Sequence, residues 1–123
     1  MSIVSGASAP VFDMAGSRFT GLASPSRGAR ETGTWRVRMA PATEPLFHQM
    51  TREEILVAIA GRARLHVGGE EHDLVAGDCA ILPPDTDFAL SNPHGEPFEA
   101  VVVLPIGGAA VIDGKPFNPP WAG

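Results

Sequence analysis

Residues 48–61 read HQMTREEILVAIAG, and residues 77–85 read GDCAILPPD. In the first block, a polar segment precedes a short apolar run that ends at Gly61. Glu53 and Glu54 are good helix formers, but the apolar run is short and rich in Ile and Val, which favours a strand. In the second block, four apolar residues stand between a Gly-Asp turn and a Pro-Pro-Asp turn. Both blocks therefore predict short strands separated by tight turns.

The same pattern continues outward on both sides of these blocks. Residues 34–39 and 62–67 alternate between apolar and polar side chains, as half-buried strands do. The pair Gly68-Gly69 is a two-residue hairpin signal before a partner strand at residues 70–75. The apolar run at residues 100–104 has no polar face, which indicates a central strand covered on both sides. Further strands are predicted at residues 11–14, 18–22, 46–48, 53–60, 79–82, 87–91 and 97–104.

Nine or ten strands with regular turn signals and no convincing helix predict an all-β sandwich or barrel. The length predicts a single domain at residues 1–123. Its core barrel is expected at about residues 34–106, after N-terminal strands within residues 11–33 and before a Pro- and Gly-rich tail at residues 107–123. Residues 23–33 are either a plain connector or a lid near a pocket mouth. Trp121 is expected to anchor the tail on the body of the protein.

The two blocks resemble the paired motifs of the cupin superfamily. The first cupin motif is G-x5-H-x-H-x3/4-E-x6-G, and the second is G-x5-P-x-G-x2-H-x3-N. The positions that fall in register with these motifs are Ala42 in place of the first Gly, His48, Glu54, Gly61, Gly77, Pro83 and Asn92. The resemblance implies a double-stranded β-helix, the jelly-roll barrel of the cupins.

Three further positions depart from the cupin motifs. Met50 stands at the second His, Phe88 stands at the third His, and Asp85 replaces a Gly. The resemblance places the side chains of His48, Met50, Glu54 and Phe88 around one pocket inside the barrel. Only His48 and Glu54 of these four carry the imidazole or carboxylate that a cupin metal needs.

The ligand count decides what the sequence predicts about a cofactor. The resemblance implies Fe, Mn, Ni, Cu or Zn, and a tight site for such a metal takes three or four ligands. We therefore expect no metal and no other cofactor, with Met50 and Phe88 packed against each other in the pocket. If a divalent transition metal is bound, His48 and Glu54 are the residues expected to hold it. The other three histidines, His66, His72 and His94, have the sequence context of surface residues.

Two functions remain open on the sequence. The favoured one is a small-molecule-binding cupin-domain protein that lacks a complete metal site. The alternative is a small metal-dependent cupin enzyme, an isomerase, lyase or dioxygenase that acts on a small oxygenated or aromatic molecule.

Catalytic residues are unassigned, with His48 and Glu54 as the candidates. We expect Glu54 to be ionised and paired with His48, because an unpaired buried carboxylate is costly; such a pair serves either structure or proton transfer.

Charge and composition limit the partners. A net charge of −5 argues against nucleic acid and anionic membranes, so a small organic ligand is the expected partner. The single Cys79, predicted to be a core residue, cannot form an intramolecular disulfide, and no signal peptide is recognisable, so a cytoplasmic location is expected. The strands around Phe12 and Phe19 need a sheet edge to join, from which we predict a homodimer.

Overall fold

Twelve strands and two single-turn 3₁₀ helices make up the computed structural model, which describes residues 1–123. The strands are β1 Val11–Met14, β2 Ser17–Ala23, β3 Thr32–Met39, β4 Gln49–Met50, β5 Glu54–Ala60, β6 Arg62–Val67, β7 Glu70–Val75, β8 Cys79–Leu82, β9 Phe88–Ser91, β10 Phe98–Pro105, β11 Ala110–Ile112 and β12 Lys115–Phe117. The 3₁₀ helices are Pro25–Arg27 and Pro120–Ala122. Each 3₁₀ helix has only three residues, so neither could span a membrane.

The strands form two facing layers. The first layer is a six-stranded sheet in the order β1-β2-β3-β10-β5-β8. The second layer consists of two three-stranded sheets, β12-β11-β4 and β7-β6-β9. Two isolated antiparallel bridges, Thr43 with Asn92 and His48 with Phe88, connect the chain around β4 to the chain around β9. The strand order of the second layer is therefore β12-β11-β4-β9-β6-β7. The predicted all-β jelly roll is confirmed.

The core lies between the two layers because strand alternation directs every second side chain inward. In β3, Trp35, Val37 and Met39 are buried, whereas Arg36 and Arg38 are exposed on the outer face. The central position predicted for residues 100–104 is also observed, since β10 pairs with β3 on one side and with β5 on the other. The expected cover on both faces is not observed, because the outward side chains of Val101 and Val103 are only half-buried.

Several turns need backbone that glycine adopts most easily. Gly61 has a φ of +69°, and a Cβ there would overlap the carbonyl oxygen of Pro97. Ala42 and Asp85 replace two glycines of the cupin motifs, yet both keep a positive φ, of 60° and 58°. Both residues therefore hold a left-handed conformation that a glycine would adopt with less strain.

Two other predictions about the fold were wrong. The tail contains β11 and β12, for which no strand was predicted. β12 pairs with β11, and β11 pairs with β4, which lies far away in the sequence; the residues of β11 and β12 themselves carry no alternation. Cys79 is exposed and is not a core residue. It lies on the sheet-edge strand β8, where alternation buries Ala80 and Leu82 and turns Cys79 outward.

Candidate functional site

A cavity of about 130 Å³ lies between the two layers, bounded by strands of both. Fifteen of its nineteen lining residues are hydrophobic, and the polar side chains among them are Ser17, His48 and Glu54. No Lys or Arg lines it. The cavity is thus an apolar chamber with a few polar groups on its wall, a common form for small-molecule sites.

The four residues singled out in the sequence all line this cavity. Met50, on β4, and Phe88, on β9, are 3% and 2% exposed. Glu54 begins β5 and is 4% exposed, while His48 is partly buried just before β4. The topology brings them together because the bridge between His48 and Phe88 aligns the two motif blocks in the second layer. β5, which carries Glu54, lies in the facing six-stranded sheet.

The side chain of His48 is held in one orientation. Its Nδ1 lies 2.9 Å from the carbonyl oxygen of Leu46, and its ring centroid lies 4.4 Å from that of Phe88. A carbonyl oxygen only accepts hydrogen bonds, so Nδ1 is the protonated nitrogen. In the neutral ring, Nε2 then carries the free lone pair and is available as a hydrogen-bond acceptor or as a base.

Glu54 makes no side-chain hydrogen bond and no ion pair, although it is almost fully buried. Burial raises the pKa of its carboxyl group to about 8, because the charged form is poorly solvated in the apolar chamber. The carboxyl group is therefore largely protonated at neutral pH.

The expected ion pair or hydrogen bond between His48 and Glu54 is absent, and the prediction that Glu54 is ionised was wrong. His48 is bonded to the backbone of its own segment instead. No Lys or Arg lines the cavity to favour the carboxylate form of Glu54, and burial is the cause of its raised pKa.

The donor set does not fit the divalent metal that the motifs would imply. No three side chains of His, Cys, Asp or Glu come close enough to hold a metal ion together. The cavity offers one imidazole and one carboxyl group, and Met50 adds only a soft thioether, which divalent ions disfavour. Phe88 offers no ligand atom at all.

The remaining histidines and the arginines of β3 do not line the cavity. His66 bonds the hydroxyl of Ser91 at 2.8 Å, and His72 lies 3.3 Å from Glu70. The guanidinium groups of Arg36 and Arg38 lie on the outer face of the first sheet, so they do not approach the cavity.

Sequence reasoning missed one wall of the cavity, formed by residues 110–123, which we call the C-terminal strap. Phe117 and Trp121 of the strap both line the cavity. Trp121 is 6% exposed and lies flat on Phe19 of β2, with ring centroids 3.7 Å apart and an interplanar angle of 4°. The anchoring role expected for Trp121 is therefore observed, and its aromatic character was the signal for it. The segment at residues 23–33 contributes no residue to the cavity.

Comparison with known proteins agrees with this architecture. Residues 35–104 match the family model of the cupin domain, which is more than half of the chain. No curated protein matches the chain significantly.

Solved structures are similar over most of the chain. The polyketide cyclase RemF from Streptomyces resistomycificus is 16% identical with a TM-score of 0.76, over 85% of this chain and 79% of that one. A sugar phosphate isomerase of the cupin superfamily from Silicibacter pomeroyi is 25% identical with a TM-score of 0.68, over 80% and 66%. The DMSP lyase DddQ from Ruegeria pomeroyi is 26% identical with a TM-score of 0.64, over 71% of this chain but only 45% of the lyase.

Proposed function

The chain belongs to the cupin domain family, and on that premise we propose that it binds a small, largely apolar organic molecule between its two sheets without a transition metal. The observation that carries this proposal is the apolar cavity with His48 and Glu54 on its wall. The donor count supports the metal-free part, because two ordinary ligands are too few for a tight divalent site.

The size of the cavity supports a ligand of about one aromatic ring. Its volume is about 130 Å³. An apolar cavity of about 150 Å³ in another protein holds benzene, whereas drug-sized ligands need about 300 Å³ or more. A larger ligand therefore requires part of the cavity wall to move.

A second candidate function is catalysis of proton transfer without a metal. The neutral carboxyl group of Glu54 is a proton donor, and Nε2 of His48 is the matching acceptor. Acid and base on the wall of one cavity suit an isomerase more than a pure binding protein. The similar solved structures include a polyketide cyclase and a sugar phosphate isomerase, which supports an enzyme but does not select one. A metal-dependent lyase or dioxygenase is less well supported by the donor set.

The binding proposal is tested with intrinsic fluorescence. Both tryptophans, Trp35 and Trp121, line the cavity, so an occupant changes their emission. We expect a saturable change with toluene, and its loss in Ala110→Leu, which fills the cavity. Ala109→Leu is the matched control, because Ala109 does not line the cavity. A response that does not saturate, or that survives Ala110→Leu, contradicts the proposal.

Metal content tests the metal-free part separately. Elemental analysis of protein purified without a His tag is expected to give far less than one transition-metal ion per chain. Stoichiometric Fe, Mn, Ni, Cu or Zn would show that His48 and Glu54 acquire further ligands in solution.

We also propose that the protein is a homodimer in the cytoplasm. β1 and β2 extend the sheet of their own chain through β3, so these strands need no partner chain to complete a sheet. The outer face of β5, β8 and β10 is apolar and includes the exposed Ile59 and Ile81, and β8 is an open sheet edge, which supports pairing there. A monomeric mass in light scattering over a wide concentration range contradicts the dimer.

The cytoplasm is proposed because the exposed, unpaired Cys79 suits a reducing compartment.

A further inference from the structure

The wall of the cavity contains one carboxyl group and one imidazole, and no Lys or Arg. Its three polar side chains are those of Ser17, His48 and Glu54. An anion placed in the cavity would lose its hydration without gaining a Lys or Arg partner. If Glu54 ionised, the anion would also meet a like charge. Both protonation states of Glu54 therefore disfavour an anionic ligand.

The carboxyl group of Glu54 also lacks a partner. It is 4% exposed, lines the cavity and makes no side-chain hydrogen bond or ion pair with the protein. Buried polar groups are almost always hydrogen-bonded, and an unsatisfied one is costly. A ligand oxygen in the cavity is the partner that the fold leaves room for.

On the premise of the proposed binding function, we propose that the ligand is an uncharged aromatic ketone, aldehyde or phenol whose oxygen hydrogen-bonds to the carboxyl group of Glu54. The aromatic rings of Trp35, Phe88 and Trp121 on the cavity wall receive the apolar part of such a molecule. The lone pair on Nε2 of His48 accepts from a hydroxyl group where the ligand carries one. The same wall excludes carboxylates and phosphate esters of similar size.

A cationic ligand is the main rival, because aromatic rings and one acidic residue also suit an ammonium group. The protonation of Glu54 argues against it. Burial raises the pKa of this carboxyl group, so Glu54 would have to lose its proton before it could pair with a cation. The cation would also lose its own hydration. An uncharged ligand meets neither cost.

The test uses four probes of nearly the same shape and the same number of non-hydrogen atoms. These are acetophenone, which carries a neutral acceptor, cumene, which carries none, benzoate, an anion, and benzamidinium, a cation. Each is titrated into the full chain at pH 6.5 while tryptophan emission is followed. We expect acetophenone to bind about three- to tenfold more tightly than cumene, the range of one net hydrogen bond, and benzoate to bind most weakly.

Variants assign the preference to Glu54. In Glu54→Leu, we expect acetophenone to lose its advantage while cumene still binds, since the apolar cavity is kept. Glu53→Leu is the matched control, because Glu53 is an exposed neighbour outside the cavity and its loss is expected to leave the preference unchanged. Circular dichroism confirms that each variant is folded before it is titrated.

The outcomes separate this inference from the binding function on which it rests. Equal affinity of the wild type for acetophenone and cumene overturns the role of Glu54 but leaves the cavity as a binding site. Tightest binding of benzoate or of benzamidinium overturns the uncharged ligand class. Failure of all four probes to bind overturns the binding function itself, and the ligand class falls with it.

Discussion

His48 and Phe88 face each other across a single antiparallel bridge. The amide of His48 donates to the carbonyl oxygen of Phe88 at 2.9 Å, and the amide of Phe88 donates back at 3.0 Å. Their side-chain rings lie 4.4 Å apart at 51°. With the bridge between Thr43 and Asn92, this contact joins the two halves of the second layer. It also holds the two sequence motifs in the register that surrounds the cavity.

Restoring two histidines is expected to create a metal site. In Met50→His with Phe88→His, the cavity would hold three imidazoles and the carboxyl group of Glu54, the ligand number of a tight divalent site. We expect Ni²⁺ or Zn²⁺ to bind at least tenfold more tightly than to wild type in calorimetric titrations. Each single variant is a control and should show a smaller gain. A double variant with no gain would mean that the two side chains do not share one metal-binding point.

Glu54→Gln is expected to change how stability depends on pH. The pKa of Glu54 is raised from 4.5 to about 8 in the folded state, so between these values the folded protein retains a proton that the unfolded chain has lost. The contribution of this carboxyl group to the free energy of unfolding is therefore greatest below about pH 4.5, declines as pH rises toward 8 and is constant above that. The glutamine variant lacks this loss, because an amide does not titrate.

Denaturant melts at pH 4.5, 7 and 9 measure this effect. Relative to wild type, we expect Glu54→Gln to gain stability as pH rises, by a few kcal/mol at pH 9, since each pKa unit corresponds to about 1.4 kcal/mol. The exposed Glu53→Gln serves as the control and should follow the wild-type curve. A variant that becomes relatively less stable at high pH would show that the carboxylate form is paired after all.

Trp121→Ala is expected to loosen the C-terminal strap. The indole ring is buried and stacked on Phe19, so its removal leaves a large gap and should destabilise the protein by about 3 kcal/mol. Thermal or denaturant unfolding measures the loss. Phe47→Ala removes a half-exposed ring and should cost less than about 1 kcal/mol. Equal losses in the two variants would contradict a close-packed strap.

Ala42→Gly is expected to stabilise the protein. Ala42 has a φ of 60°, a conformation that costs a non-glycine residue about 1–2 kcal/mol. Glycine avoids this cost, but its greater conformational entropy in the unfolded chain offsets about 0.5–1 kcal/mol of the gain. The net gain should be about 0.5–1 kcal/mol in a denaturant melt. Ala40→Gly is the control, since Ala40 has no positive φ, and it should destabilise. A loss of stability in Ala42→Gly would refute the strain.

The sequence by itself determined most of the strands and the all-β class, because alternation and turn chemistry are local properties of the chain. The jelly roll was predicted from the resemblance to the cupin motifs. Strands such as β6, β7 and β8 begin and end where their own residues predict, at Gly68-Gly69 and at the Gly-Asp and Pro-Pro turns. The spacing of His48, Glu54, Gly77 and Asn92 extended this local information to the cupin arrangement.

Only the tertiary structure decided the chemistry of the cavity. Whether Glu54 meets His48 depends on side-chain orientation and on the backbone oxygen of Leu46, neither of which spacing along the chain reveals. The protonation of Glu54 depends on desolvation by residues from many separate strands. The C-terminal strap likewise joins the second layer through the pairing of β11 with β4, some 60 residues earlier, and Trp121 of the strap packs on the ring of Phe19. Such long-range contacts leave no periodic mark on the segments that make them, so they appear only when the chain is folded.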